Sequence, residues 1–72
     1  MTPNEKIKHL RWLADIYQED LAAKMAMNRT LLSQIERGII PTTEEFAQKA
    51  ISIIKEMRPD IADRLDELRK AL

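Results

Sequence analysis

The stretch "QEDLAAKMAMNRTLLSQIERG", residues 18–38, carries the pattern that best predicts the fold of this chain. Wound as a helix at about 100° per residue, its second half separates into an apolar face and a hydrogen-bonding face. The apolar face carries Leu31, Leu32 and Ile35. The other face carries Arg29, Thr30, Ser33, Gln34 and Arg37. Asn28 is a suitable N-cap and Gly38 suits the position after the last turn, so the pattern predicts a helix over about 29–37.

The first half of the stretch predicts a shorter helix over about 18–25 that buries Leu21, Ala22 and Met25. Only about three residues separate the two helices, and a connection this short favours the steep crossing of a helix-turn-helix. The polar face of the later helix then points outward on a rigid support. Such a helix can enter the major groove of B-DNA, which is ~12 Å wide.

The rest of the chain also has helical spacing, so we predict an all-α fold with five helices. Thr2 and Glu5 predict a capping box at the start of the first helix, and Thr42 and Glu45 predict a second one before the fourth. The first helix should bury Ile7, Leu10 and Ala14, while Trp12 and, in part, Ile16 point away from its core face. The fourth should bury Phe46, Ala50, Ile53, Ile54 and Met57.

Composition excludes several classes of function. The chain has 72 residues, 12 basic and 12 acidic side chains, no cysteine and one histidine. We therefore expect no disulfide, metal site, cofactor or catalytic centre, and a reducing, cytoplasmic location. No apolar run approaches the ~18 residues of a membrane span. Because the net charge is zero, binding to nucleic acid would depend on where the basic residues lie.

Residues 18–38 closely resemble the helix-turn-helix of the lambda-repressor-like family (Cro/cI-type, also called XRE). The matching residues are Gln18, Leu21-Ala22, Met25, Met27, Leu32 and the closing "SQIERG". With the flanking helices, the resemblance covers roughly residues 5–57. It implies a helix-turn-helix domain over 1–58 that binds a double-stranded DNA operator as a homodimeric transcriptional regulator, most simply a bacterial or phage repressor.

The resemblance also implies residue roles. Arg29, Thr30 and Gln34 match positions that contact bases, and Gln18 matches one that meets a phosphate. Asn28, Ser33 and Arg37 are further candidates for backbone contacts, with plain solvent exposure the alternative for Ser33 and Arg37. Arg11 and Glu36 match positions at which some members bury an ion pair.

The chain departs from the family pattern at four places. Ala26 stands where glycine is usual in the turn, Asp15 where glycine often ends the first helix, and Tyr17 where serine or threonine caps the second. The loop "IIPTT", residues 39–43, lacks the lysine or arginine that often contacts the DNA backbone. Fewer phosphate contacts imply weaker binding and a shallower dependence on salt.

A C-terminal segment, 59–72, has an apolar seam, and a helix this short must dock on the domain or on a second subunit. The residues we assign to a dimer or partner surface are Trp12, Ile39, Ile40, Ile61, Leu65, Leu68 and Leu72. For Ile39 and Ile40 a buried loop anchor is the alternative. The same surface supports a different function, a protein-interaction module such as an antitoxin-like or antirepressor partner.

Overall fold

The computed structural model describes residues 1–71, and these fold into five α-helices and one 3-10 turn, with no strand among them. The elements are α1 (Pro3–Leu13), α2 (Gln18–Lys24), α3 (Arg29–Glu36), α4 (Glu44–Met57), the 3-10 turn (Pro59–Ile61) and α5 (Ala62–Lys70). The all-α prediction is therefore confirmed. None of these helices combines the length and apolar character needed to cross a bilayer.

Side-chain caps fix the starts of three helices. Thr2 and Glu5 form the predicted capping box of α1, and the Asn28 side chain caps α3. The predicted capping box of Thr42 and Glu45 is wrong. Thr43 has the extended backbone of an N-cap (φ −109°, ψ 161°), and its hydroxyl oxygen accepts a hydrogen bond from the Phe46 backbone N–H at 3.0 Å.

Two non-glycine residues adopt left-handed backbone conformations. Asp15, after α1, has φ 57°, and Ala26, between α2 and α3, has φ 56°. Gly38 takes φ 78° after α3. Since a Cβ is unfavourable in this region, Ala26 places strain at the corner between α2 and α3.

The core lies between α1 and α4, with α2, α3 and α5 packed around them. Its largest fully buried side chains come from every helix: Ile7, Leu10, Leu21, Leu32, Ile51, Ile54 and Leu65. The predicted inner face of α4 is partly wrong, because Ala47 and Ile51 are buried while Phe46, Ile53 and Met57 are only half-buried. The expectation that Ile16 points in part away from the core is wrong: it is buried, because it lies beyond the end of α1, after the left-handed Asp15, and no longer follows the faces of that helix.

Helix α5 docks on its own chain. Leu65 is 2% exposed in the core, and Ile61 and Leu68 pack against it. Polar contacts support the docking, with Lys55 Nζ 2.8 Å from Asp66 Oδ1. The alternative in which this segment docks on its own domain is therefore what the structure shows, and Leu65 is too buried to contact a partner. Ile61 and Leu68 are half-buried, and their assignment to a partner surface stays a prediction. Leu72 lies outside the described residues.

Candidate nucleic-acid interface

Helix α3 presents its polar face to solvent. The Asn28 Oδ1 atom accepts a hydrogen bond from the Leu31 backbone N–H at 2.7 Å, which fixes where the helix begins. Leu32 and Ile35 are buried on the inner side. On the outer side Arg29, Thr30 and Arg37 are exposed, and Ser33 and Gln34 are half-buried.

The outer face is the floor of a shallow groove, which we call the α3 groove. It is lined by Gln18 at the start of α2 together with Arg29, Thr30, Ser33 and Arg37. Five of the seven residues predicted to contact DNA therefore lie side by side. Gln34 does not line this groove, and Asn28 uses its side-chain oxygen as a cap.

A buried polar network holds α3 against α1. Arg11 and Glu36, which the sequence pairs, form a two-pronged ion pair in which Nε and Nη2 of Arg11 each lie 2.8 Å from a Glu36 carboxylate oxygen. Arg11 Nη1 also donates to the Ile16 carbonyl oxygen at 2.7 Å. Arg11 is 8% exposed and Glu36 4%, so solvent screens this pair little.

Gln18 belongs to the same network. Its Nε2 donates to Glu36 Oε1 at 3.0 Å, which ties the groove-lining amide to the ion pair. The sequence assigned Gln18 only a phosphate contact and missed this bond, because the partner lies 18 positions away. A carboxamide has two N–H donors, so one remains for another acceptor.

The start of α2 is poor in positive charge. Tyr17 makes no side-chain capping bond, as its residue type predicts, and Glu19 and Asp20 are exposed in the first turn. Acidic side chains stabilise a helix N-terminus through its dipole, but they repel a nearby phosphate. The basic groups beside Gln18 and Tyr17 in this region are Arg11 and Arg29.

The loop after α3 is pinned to α1. Asn4 Nδ2 donates to the carbonyl oxygens of Ile35 at 2.8 Å and Ile40 at 2.9 Å. Ile40 is half-buried against the core, which supports the loop-anchor alternative; its assignment to a partner surface stays a prediction. Ile39 is 59% exposed. The sequence gives no signal for the role of Asn4, since nothing local marks its two distant acceptors.

A second groove lies between α1 and the end of α3, with a volume of about 490 Å³. We call it the α1 groove; its lining residues are Met1, Glu5, Lys8, His9, Trp12, Glu36 and Arg37. Trp12, predicted to point away from the core, is 73% exposed. No local sequence pattern indicates a role for Lys8 or His9.

Residues 1–71 contain no grouping of three or more His, Asp or Glu side chains arranged to hold a metal ion. The chain matches no family model, no curated protein and no solved structure. The site is therefore interpreted from its own geometry and chemistry.

Proposed function

We propose that this protein binds double-stranded DNA sequence-specifically, as a small transcriptional regulator with a lambda-repressor-like fold and α3 in the major groove. The observation that carries the proposal is the α3 groove, in which hydrogen-bonding side chains project from a short helix backed by buried Leu32 and Ile35. A repressor is the simplest form of such a regulator, because blocking a promoter requires no further domain. We assign the protein no enzymatic step and no cofactor.

Side-chain chemistry supports distinct roles along α3. Arg29 can donate two hydrogen bonds to guanine O6 and N7, and Thr30 can contact a base with its hydroxyl or methyl group. Arg37 and Ser33 are suited to the phosphates on either side of the groove. Gln34 remains a proposed base contact, although it would reach the DNA from the edge of the helix rather than from the α3 groove.

The network around Glu36 supports DNA binding because it orients Gln18 before DNA arrives. A preorganised amide loses less conformational entropy on binding than a free side chain does. One N–H of Gln18 is held by Glu36, and we propose that the other donates to a phosphate oxygen.

We propose further that the protein binds as a homodimer. A single short recognition helix with a neutral loop after it makes few contacts, and two copies would read half-sites about one helical turn, ~34 Å, apart. Since Leu65 is buried within its own molecule, the dimer contact would use other residues of the proposed partner surface. Ile39, exposed beside the end of α3, is one candidate.

The experiment is selection of binding sites from random duplex DNA, followed by affinity measurements on the selected site and its single-base variants. Arg29→Ala should relax the preference at one position of each half-site and cost about 1–3 kcal/mol there. Lys49→Gln, on the exposed side of α4, serves as the control for loss of one positive charge. An Arg29→Ala variant that weakens all sequences equally would make Arg29 a phosphate contact. Absence of any binding at low salt would refute DNA binding altogether.

A protein-interaction module is the second candidate, and exposed apolar side chains favour it. Trp12 and Tyr17 are each 73% exposed and Ile39 is 59% exposed, and such residues are common anchors at protein interfaces. This function predicts a stable complex with another protein that Trp12→Ala or Ile39→Ala disrupts, and no preference among DNA sequences.

A further inference from the structure

The α1 groove and the α3 groove meet at one residue. Arg37, in the cap position that ends α3, lines both of them. A ligand lying along the α3 groove and extending past Arg37 would therefore meet Lys8, His9 and Trp12 on α1. The two grooves therefore lie on neighbouring parts of the surface, on either side of Arg37.

The hydrogen-bonding groups of the α1 groove are mostly donors. Lys8 and Arg37 carry only N–H donors, and the indole of Trp12 has a single N–H donor and no acceptor. Of its two carboxylates, Glu36 is fully paired and Glu5 has one oxygen engaged in the capping box of α1. Glu5 Oε1 accepts from the Thr2 backbone N–H at 3.2 Å, and both Glu36 oxygens accept from Arg11. The groove is thus complementary to a ligand rich in acceptor oxygens and negative charge.

We infer that the α1 groove binds the sugar–phosphate backbone of the duplex whose bases α3 reads, with Lys8 and Arg37 on phosphates and Trp12 against a deoxyribose. This inference rests on the proposed function and extends it. A phosphate presents only acceptor oxygens, and the flat, exposed indole can cover the apolar edge of a sugar. The loop at residues 39–43 has no basic residue, and the α1 groove provides cationic contacts in its place.

Charge balance favours DNA over a protein partner at this groove. Because Arg11 neutralises Glu36, the two positive charges of Lys8 and Arg37 face the single negative charge of Glu5, and the groove keeps a net positive charge. A typical protein partner would place an apolar surface over Trp12, and the flanking cations would then be buried at a desolvation cost. A DNA backbone satisfies both cations and releases condensed counterions.

Two measurements on the full chain test the inference. In the first, affinity for the selected duplex is measured over a salt series by anisotropy of labelled DNA. Lys8→Gln should lower the magnitude of the slope of log K against log salt by about 0.9, the value for one lost phosphate contact. The matched control Lys49→Gln removes the same charge from α4 and should leave the slope unchanged, and circular dichroism checks that both variants fold.

The second measurement uses the fluorescence of Trp12, the one tryptophan of the chain. Acrylamide quenches an exposed indole efficiently, and saturating duplex should protect Trp12 from it. Protection that instead increases with protein concentration in the absence of DNA would make Trp12 a protein contact and overturn the inference. The inference is also overturned if the duplex binds the Lys8→Gln variant with the same salt slope as the unmodified protein. It is overturned likewise if saturating duplex leaves the acrylamide quenching of Trp12 unchanged. If the unmodified protein binds no duplex, the proposed function fails first and this inference fails with it.

Discussion

Replacing Glu36 with leucine tests whether the buried network governs both stability and the binding surface. The change leaves Arg11, only 8% exposed, without its two carboxylate bonds of 2.8 Å. Removing one partner of a buried ion pair costs about 3–5 kcal/mol. At ~0.05–0.15 kcal/mol per residue, a chain of this length has a free energy of unfolding of about 4–11 kcal/mol. Glu36→Leu should therefore remove a large fraction of the total stability.

The double variant Arg11→Met with Glu36→Leu separates the charge from the packing. It removes both ions together, so most of the stability should return, apart from about 1 kcal/mol for the lost bond to the Ile16 carbonyl oxygen. Urea unfolding followed by circular dichroism gives both values. In the double variant Gln18 loses its acceptor on Glu36. Even if the double variant is as stable as the unmodified protein, it should therefore bind the selected DNA more weakly.

Three results would contradict this reasoning. A cost below about 1 kcal/mol for Glu36→Leu would mean that water reaches Arg11, because only exposed ion pairs contribute so little. A double variant as unstable as the single one would mean that packing, rather than an uncompensated charge, causes the loss. If the double variant bound DNA with the same affinity as the unmodified protein, the orientation of Gln18 by Glu36 would be irrelevant to binding.

Three further predictions concern stability. Leu65→Ala should cost about 2–5 kcal/mol in urea unfolding, because Leu65 is buried in the core; a cost below that range would mean that α5 is not firmly docked. Ala26→Gly should raise the melting temperature by relieving φ 56°, with a gain of about 0.5–1 kcal/mol, whereas Ala23→Gly, on the exposed side of α2, should lower it. The Lys55 ammonium holds the pKa of Asp66 below its usual range, so the stability from this contact is complete above about pH 4 and is lost as pH falls through the lowered pKa. Asp66→Asn should flatten that acid loss in urea midpoints measured against pH, and an unchanged acid profile would contradict the assignment.

Much of the fold was predictable because its signals are local. The capping box of Thr2 and Glu5, the Asn28 cap and Gly38 each depend on residues within one helical turn. The N-cap of α4 was predicted one residue too early, because Thr42 and Thr43 are the same residue type and either could cap the helix. Only the extended backbone of Thr43 selects between them.

The candidate site was predictable only in part. The spacing of Arg29, Thr30 and Ser33 along one helix fixes their common face, and they do lie together in the α3 groove. Contacts between different helices leave no comparable pattern in the sequence. Asn4 bridging the end of α3 to the following loop, and the α1 groove beside Arg37, arise from helices distant in sequence.

The sequence by itself determined the helices and the two-sided character of α3, because helical periodicity and capping are properties of neighbouring residues. Tertiary structure alone decided that α5 covers its own core, that Ile40 anchors a loop, and that Gln18 is held by Glu36. The physical reason is that burial and long-range hydrogen bonds depend on where helices meet. An apolar seam or a polar side chain has the same local pattern whether its partner is in the same molecule or in another.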